Sequence, residues 1–362
     1  MRIAVFHELH RGGARRAVNQ ICKILKKTHV VDFYSVDAKP NIEEKKYFTQ
    51  VVSYPFCSVK KEERNWRKRV YKDSIELLKL SRMHKKIARD IDRKKYDVVF
   101  IHPSSFTQAP FILRYLKTLS VYYCQEPLRM IYDKIVSTQT NMYIYDKFVK
   151  IFRKKIDKKN IESANSIICN SLFSKKNIYK AYGLDSTVCY LGVEHTFFTP
   201  IKKNKDIDVL FVGSKEFIEG YQTFQETVFY LPNTIKYTFL DSSKKWLSDQ
   251  ILRSYYQRSK IVLCLAYDEP FGLIPLEAGS CGCVVVAVAE GGYTESIRQN
   301  KTGFVILRNP QLIAKKIQSI LNNKQILNKV PKNARREIEN KWTWEKSASN
   351  IERILKRKVL SS

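Results

Sequence analysis

At 362 residues the chain is long for one compact core, and a domain size of about 150 residues implies two domains. Hydrophobic residues make up 44% and aromatic residues 12%, enough to fill both cores, which argues against a disordered chain. Lys plus Arg total 65 against 35 Asp plus Glu, a net charge of +30, so the partners to expect are anionic: nucleic acid, a membrane face or phosphorylated small molecules.

The charge is uneven. Residues 1–200 carry 39 basic and 19 acidic side chains, net +20, and residues 201–362 carry 26 and 16, net +10. The densest stretch runs from Lys60 to Lys95, with 15 basic and six acidic residues. Ile75, Leu78, Met83 and Ile87 recur there at helical spacing, which predicts a basic helix or helix pair. No run of about 18 apolar residues occurs, so no spanning helix is expected. The opening MRIAVFHELHRGG is interrupted too early to read as a signal peptide. Eight cysteines lie without a CxxC pair, mostly in apolar strand-like runs such as IICN and IVLCLAY. They read as small buried hydrophobes in a reducing, cytoplasmic setting.

Short β-rich runs alternate with longer amphipathic stretches, the pattern of parallel α/β layers. The first half predicts strands over Ile3–Phe6, Val30–Tyr34, Val98–Ile101, Val121–Cys124, Ser166–Cys169 and Thr187–Tyr190. Helices are predicted between them over Ala14–Lys27, Asp73–Ile91, Tyr132–Asn160 and Leu172–Tyr182. A polar break follows at residues 195–208, and the alternation restarts. Strands are predicted over Val209–Val212, Tyr237–Leu240, Ile261–Leu265, Val284–Val288 and Phe304–Leu307. After a further break expected at Val330–Pro331, a last basic helix runs from about Trp344 to Lys358. Two tandem α/β domains follow from this. Ligands of open α/β sheets sit outside the carboxyl ends of the strands, so motifs there carry most weight.

The strongest motif begins where IVLCLAY ends: Asp268-Glu269-Pro270-Phe271-Gly272-Leu273-Ile274-Pro275-Leu276-Glu277-Ala278. Pro270 suits the first turn of a helix, which would leave the backbone N–H groups of Phe271, Gly272 and Leu273 free to cradle an anion. On one helix, carboxylates eight residues apart stand about 80° apart and some 12 Å along the axis. They would grip two ends of one ligand and would not form a close acid/base pair.

Glu269 and Glu277 stand at the spacing of the E-x7-E signature, and EPFGLIPLEA resembles its form in retaining GT-B glycosyltransferases of glycosyltransferase family 4, the group 1 type. Other segments agree in order. GGARR at 12–16 resembles the family's N-terminal glycine loop, and NSLFSKKNIYKAYG at 170–183 with YLGVEHTFFTP at 190–200 resembles the lead into the C-terminal domain. VLFVGS at 209–214, AEGGYTES at 289–296, KTGF at 301–304 and WTWEKSA at 342–348 continue the resemblance over nearly the whole chain.

That resemblance implies a GT-B fold: two Rossmann-like domains facing across a cleft, with a terminal helix crossing back. The implied divisions are residues 1–195 for acceptor binding, 206–340 for the nucleotide-sugar and 341–362 for the returning helix. It implies that Glu269 contacts sugar hydroxyls and Glu277 the ribose, while the Phe271, Gly272 and Leu273 amides face the diphosphate. Gly12, Gly13, Gly213, Lys215 and Gly292 complete the implied donor site. The same positions also have plain structural readings: Glu269 as a charge at a helix start, Glu277 as an exposed polar residue, and Gly291-Gly292 as a tight turn before the capping residues Thr294 and Glu295, while a Gly12-Gly13 pair alone is a weak signal. The chemistry implied is stabilisation of a departing nucleoside diphosphate and a cation-like sugar. Retention in this family is discussed as front-face attack, with the leaving phosphate accepting the acceptor's proton, so no protein nucleophile is implied.

Two departures stand out. Where relatives carry an Arg after VG and then a Lys before Gly, VGSKEFIEGY offers Ser214 and Glu219; Lys215 replaces the first charge and Glu219 inverts the second. Where many relatives have a His, VYYCQEPLR has Gln125, which hydrogen-bonds a hydroxyl but cannot take its proton. His102, after VVFI, is the nearest alternative base and is equally readable as a structural histidine at a strand end. Arg129 reads either as an acceptor or phosphate contact or as a helix-capping charge. Asp206-Ile207-Asp208 is a DxD in the linker, and no metal or other cofactor is expected, since the nucleotide-sugar is a substrate. No zinc-type His/Cys spacing, GxSxG or GxxxxGK[ST] occurs.

The leading expectation is therefore a retaining glycosyltransferase acting on a glycan or lipid-linked acceptor of the cell envelope. A GT-B-fold sugar-nucleotide epimerase or phosphorylase, and a catalytically lapsed relative, are the alternatives. Nucleic acid falls back as a partner, because no reader motif accompanies the charge. A diphosphate needs only a few cations, so the remaining excess implies an anionic membrane surface met by the Lys60–Lys95 region.

Overall fold

The computed structural model describes residues 1–10, 12–36, 42–58, 66–133, 144–202, 204–243 and 247–361. Met1–Asn170, Ser174–Cys189 and Ala348–Ser362 form one compact unit; Ser171–Phe173 and Tyr190–Ser347 form the other.

Among the described residues, the first unit holds seven parallel strands: β1 (Arg2–Glu8), β2 (Val30–Ser35), β3 (Gln50–Ser53), β4 (Val98–Ser104), β5 (Ser120–Tyr123), β6 (Ser166–Cys169) and β7 (Thr187–Val188). Their order is β3-β2-β1-β4-β5-β6-β7. Residues of β1 and β4 on both faces are buried, from Ile3 to Phe6 and from Val98 to His102, as a sheet covered by helices on both sides requires. Helix α1 (Gly13–Leu25) seals one stretch with Ala17, Val18, Ile21, Cys22 and Leu25. Further helices are α2 (Trp66–Tyr71), α3 (Leu77–Arg93), α4 (Arg129–Tyr132), α5 (Ile144–Ile161) and α6 (Leu172–Tyr182), with one π-turn at Lys72–Glu76 between α2 and α3.

The basic stretch is indeed helical from Trp66, while residues 60–65 and 134–143 of the expected helices lie outside the described residues. The buried stripe of α3 is Leu77, Leu80, His84, Ile87 and Ile91, so Ile75 and Leu78 point to solvent. The π-turn adds a residue to the local repeat, which rotates the faces relative to a uniform helix. Strand β3 escapes a hydrophobic scan because QVVS is short and lies at the sheet edge.

The second unit holds β8 (Ile207–Gly213), α7 (Tyr221–Phe229), β9 (Tyr237–Asp241), α8 (Asp249–Arg258), β10 (Ser259–Cys264), α9 (Ile274–Ser280), β11 (Val284–Val288), α10 (Tyr293–Ser296), β12 (Phe304–Ile306), α11 (Pro310–Leu321) and α12 (Lys324–Lys341). Its five parallel strands run in the order β12-β11-β10-β8-β9. Helix starts carry their own caps: the Ser248 hydroxyl accepts from Ile251 N–H, Asn309 from Leu312 and Asn323 from Gln325 and Ile326.

Two expectations fail here. Pro331 lies inside α12 and is buried, so the chain does not break at Val330–Pro331. Burial of Val330, Ala334 and Ile338 outweighs the missing N–H. Arg335 on the same helix donates to the carbonyls of His195, Phe198 and Ser280 at 2.7, 2.7 and 3.1 Å. The DxD is only partly linker, since Ile207 and Asp208 begin β8. Asp206 receives the Arg258 guanidinium and Asp208 the Lys260 ammonium at 2.6 Å, so both carboxylates serve ion pairs.

The last helix, α13 (Trp344–Leu360), starts in the second unit, and from Ala348 it packs into the first. Ile351 and Leu355 are fully buried, and Glu352 meets His29 Nε2 at 2.9 Å.

Candidate active site

In each sheet the first strand is flanked by strands that leave in opposite directions, β1 by β2 and β4, β8 by β9 and β10. The carboxyl ends of these central pairs are where an open α/β sheet accepts a ligand.

In the second unit three loops meet at that point. The first leaves β8 at Gly213 and turns back at Gly220, whose φ is +78°. A Cβ at Gly220 would stand 2.0 Å from the Leu265 carbonyl oxygen, so only glycine lets this loop close on the end of β10. Tyr267 N–H donates to the Ile218 carbonyl at 2.8 Å and fastens the two loops. Lys215 is exposed, its ammonium 5.8 Å from the Tyr221 ring. Glu219 turns inward, where a Cβ built on Gly213 would be 3.3 Å from its carboxylate oxygen.

The second loop is Tyr267–Leu273. Pro270 lies in this loop and does not open a helix; α9 starts at Ile274 with Pro275 in its first turn. Glu269 is therefore outside the helix that carries Glu277, and the helical-wheel separation of the two carboxylates does not apply. The reason is Gly272, whose φ of +82° is incompatible with helix and turns the chain just before α9. The Phe271 ring is buried and packs against Tyr190 and Trp342, at 6.0 and 5.7 Å between centroids. Glu277 is buried, and Tyr256 donates its hydroxyl to Oε2 at 3.2 Å. An exposed polar residue is thus not what stands there.

The third loop, Ala289–Gly292, lies directly on the second. Gly292 N–H donates to the Glu269 carbonyl at 2.8 Å. Cβ atoms on Gly291 and Gly292 would stand 2.3 Å from the Glu269 oxygen and 2.5 Å from the Pro270 oxygen. Both glycines are needed for this close approach. Burial lifts the Tyr293 hydroxyl well above its ordinary range, and the carboxylates of Glu269 and Glu219 add to the effect. Glu295 accepts from the N–H groups of Leu172 and Phe173 at 2.8 and 2.9 Å and from Tyr190, while the Ser171 hydroxyl donates to the Pro270 carbonyl.

Sequence reasoning missed Arg308. It follows β12, lies 3.5 Å above the Tyr267 ring, and donates to both Glu290 oxygens at 2.8 and 2.6 Å and to the Leu265 and Ala266 carbonyls. A single Arg after FVIL carries no motif, so only the fold brings it beneath the loops.

In the first unit, His7 is the next-to-last residue of β1 and His102 lies near the end of β4. Both are buried. The His102 ring is packed by Phe100 at 4.3 Å and Tyr123 at 5.4 Å, and neither ring nitrogen has a hydrogen-bond partner. Burial pulls its pKa down to about 3, so the ring is neutral at pH 7. His7 is likewise held neutral by burial, then by the charge of Arg15; it stacks on Phe33 at 4.4 Å. Its Nε2 is buried and unbonded. His7 was not singled out by sequence, where it is one more residue of an apolar opening strand.

Gln125 follows β5, with Nε2 buried and unbonded and its backbone carbonyl accepting from the Ser174 hydroxyl at 2.8 Å. Arg129 opens α4 and is engaged by Asp133 at 3.0 Å and Glu126 at 3.8 Å. Gly12 and Gly13 stand at the start of α1, with the Gly12 carbonyl accepting from Arg16 N–H. Among the described residues, no group of three or more His, Cys, Asp or Glu is arranged to hold a metal ion.

The fold so defined is that of the GT-B glycosyltransferases. Sucrose-phosphate synthase from Thermosynechococcus elongatus superposes with a TM-score of 0.71 at 16% identity, covering 100% of both chains. Anabaena Alr3699/HepE, solved in complex with UDP and glucose, superposes with a TM-score of 0.72 at 16% identity over 99% of this chain and 100% of that one. Residues 198–337 match the family model described as Glycosyl transferases group 1. Spore coat protein SA of Bacillus subtilis (strain 168) is 25% identical over 158 residues, 42% of this chain and 41% of that protein. The chain spans about two fifths or less of the length of the first curated relatives it matches. The family match thus covers residues 198–337, and the likeness in fold extends over the whole chain.

Proposed function

We propose that the protein is a retaining glycosyltransferase of the family 4 type that moves a hexosyl group from a nucleotide-sugar to a glycan or lipid-linked acceptor. The observation that carries this reading is the meeting of three glycine-shaped loops at the ends of β8, β10 and β11, with Glu269 in the middle loop. In this reading the second unit binds the donor. Glu269 holds sugar hydroxyls, Glu277 the ribose, and the Phe271–Leu273 amides with Gly213, Lys215 and Gly292 accommodate the diphosphate. Fixed amide dipoles stabilise the leaving group without reorganisation, and no resident metal is invoked. The first unit binds the acceptor. There the neutral His102 ring accepts a hydrogen bond from, or donates one to, an acceptor hydroxyl, beside Gln125. An unbonded buried polar group costs roughly 1–3 kcal/mol, which such a hydroxyl would recover. Since a structural neighbour was solved with UDP and glucose, UDP-sugars head the donor candidates. Synthesis of envelope glycans on the cytoplasmic, anionic face of a membrane fits the net charge of +30.

Glu219 favours a second reading, a relative that binds donor and no longer transfers, because it sets a carboxylate against Gly213 where the family's cation belongs. Incubation with UDP-, GDP- and ADP-sugars, following nucleotide release, separates the two. Release that disappears in Glu269→Ala supports the transferase. Release that survives this substitution overturns the role of Glu269, and donor binding without release across an acceptor panel supports the lapsed reading.

A further inference from the structure

Helix α5 is seven-fold basic and two-fold acidic, yet it leaves three large apolar side chains in solvent. Phe148, Ile151 and Phe152 are 68%, 55% and 51% exposed. With Lys155 and Lys159 they follow i, i+3, i+4 spacing and share one side of the helix, flanked by Lys147 and Lys158. The opposite side is pinned. Asp157 accepts from Ala109 N–H at 3.0 Å and from the Tyr182 hydroxyl at 2.6 Å, and Asn160 donates to the Ala109 carbonyl at 2.6 Å. The apolar side therefore cannot roll inward without breaking three buried hydrogen bonds.

Helix α2 is tied alongside. Arg69 pairs with Asp146 of α5, and Arg153 of α5 donates to Asp73 through Nε at 3.1 Å. Trp66, at the start of α2, is 66% exposed beside Arg67. Two joined helices thus present Trp, Phe and Ile among Lys and Arg.

We infer that this α2–α5 face docks on an anionic lipid bilayer, with Phe148, Ile151 and Phe152 entering the headgroup–acyl boundary and the lysines meeting lipid phosphates. Bulky apolar side chains ringed by Lys and Arg are the composition that an interfacial helix requires. A second copy of the chain fits worse, because two such faces would bring like charges together, and lysine is depleted at protein interfaces. Duplex nucleic acid offers no place for the apolar centre. The inference rests on the membrane-side reading above, and extends its contact from α2, inside the Lys60–Lys95 stretch, to α5, which the charge density alone did not mark.

Flotation of the full chain with vesicles of phosphatidylcholine containing about 30% phosphatidylglycerol, at low salt, tests it. Binding to these vesicles and not to pure phosphatidylcholine is expected. Phe148→Ser/Ile151→Ser/Phe152→Ser should weaken partitioning by about tenfold or more with unchanged melting temperature. Lys155→Gln/Lys159→Gln should weaken it roughly 25-fold, about fivefold per charge. Equal flotation of wild type and the apolar triple variant would overturn the inference, as would conversion of a dimer to a monomer by that variant, or stronger binding to duplex DNA than to vesicles. Nucleotide release by the triple variant, measured without vesicles, should match wild type; it reports on the donor reading separately.

Discussion

At the end of the first sheet, His102 is buried with neither ring nitrogen bonded and His7 with its Nε2 unbonded, whereas at the end of the second sheet the polar groups are laced together. There Gly292 fastens to Glu269, Tyr256 to Glu277, and Arg308 to Glu290 and two carbonyls. The contrast separates two ways of building a site. One is preorganised by backbone and leaves little freedom to its ligand; the other holds neutral, unsatisfied side chains whose partners must come from outside. A donor with an invariant diphosphate suits the first, and an acceptor hydroxyl suits the second.

The largest effect that would break this contrast belongs to Glu269. Glu269→Ala should lower turnover by about 10³-fold while the melting temperature stays within error, since the loop that carries it is held by backbone contacts. Thermal melting beside a nucleotide-release assay checks both halves. His102→Gln comes next, with turnover down on the order of 10²-fold and donor KM unchanged. A rise in donor KM instead would move His102 out of the acceptor role.

Stability against pH sharpens the same contrast. Because the folded His102 pKa is lowered to about 3, its contribution is complete above the ordinary value near 6.5 and is lost as pH falls below it. His102→Phe removes that titration. The stability of wild type relative to this variant should therefore fall by about 2 kcal/mol between pH 6.5 and 5, read from urea unfolding at both pH values. Asp157 moves oppositely, its carboxyl raised to about 6 by burial, which is why the comparison is made between two chains and not on wild type alone. The smallest effect is Lys215→Ala. Its exposed charge should change donor KM by a few-fold, and the difference should shrink at high salt.

How much of this was legible in the sequence follows the same division. Strands such as Val284–Val288 and Ser166–Cys169 are written in uninterrupted apolar runs, because sheets covered on both faces leave no alternation to misread. The EPFG and EGG segments are readable because positive φ and close backbone approach demand glycine at fixed places. Pro270 misled because a proline before an apolar run resembles a helix start, while Gly272 delays the helix to Ile274. Pro331 misled because tertiary burial carries α12 through it. His7, Arg308 and the exposed side of α5 had no local signal at all. Each acquires meaning from neighbours distant in sequence: Phe33 and His102, Tyr267 and Glu290, Ala109 and Tyr182.

Calorimetric titration of UDP into wild type, Glu277→Gln and His102→Gln tests the division of labour most directly. Loss of one charge-assisted hydrogen bond to the ribose should weaken UDP binding by about tenfold in Glu277→Gln, with His102→Gln indistinguishable from wild type. Equal affinity in Glu277→Gln and wild type, or a loss confined to His102→Gln, would contradict placement of the donor in the second unit.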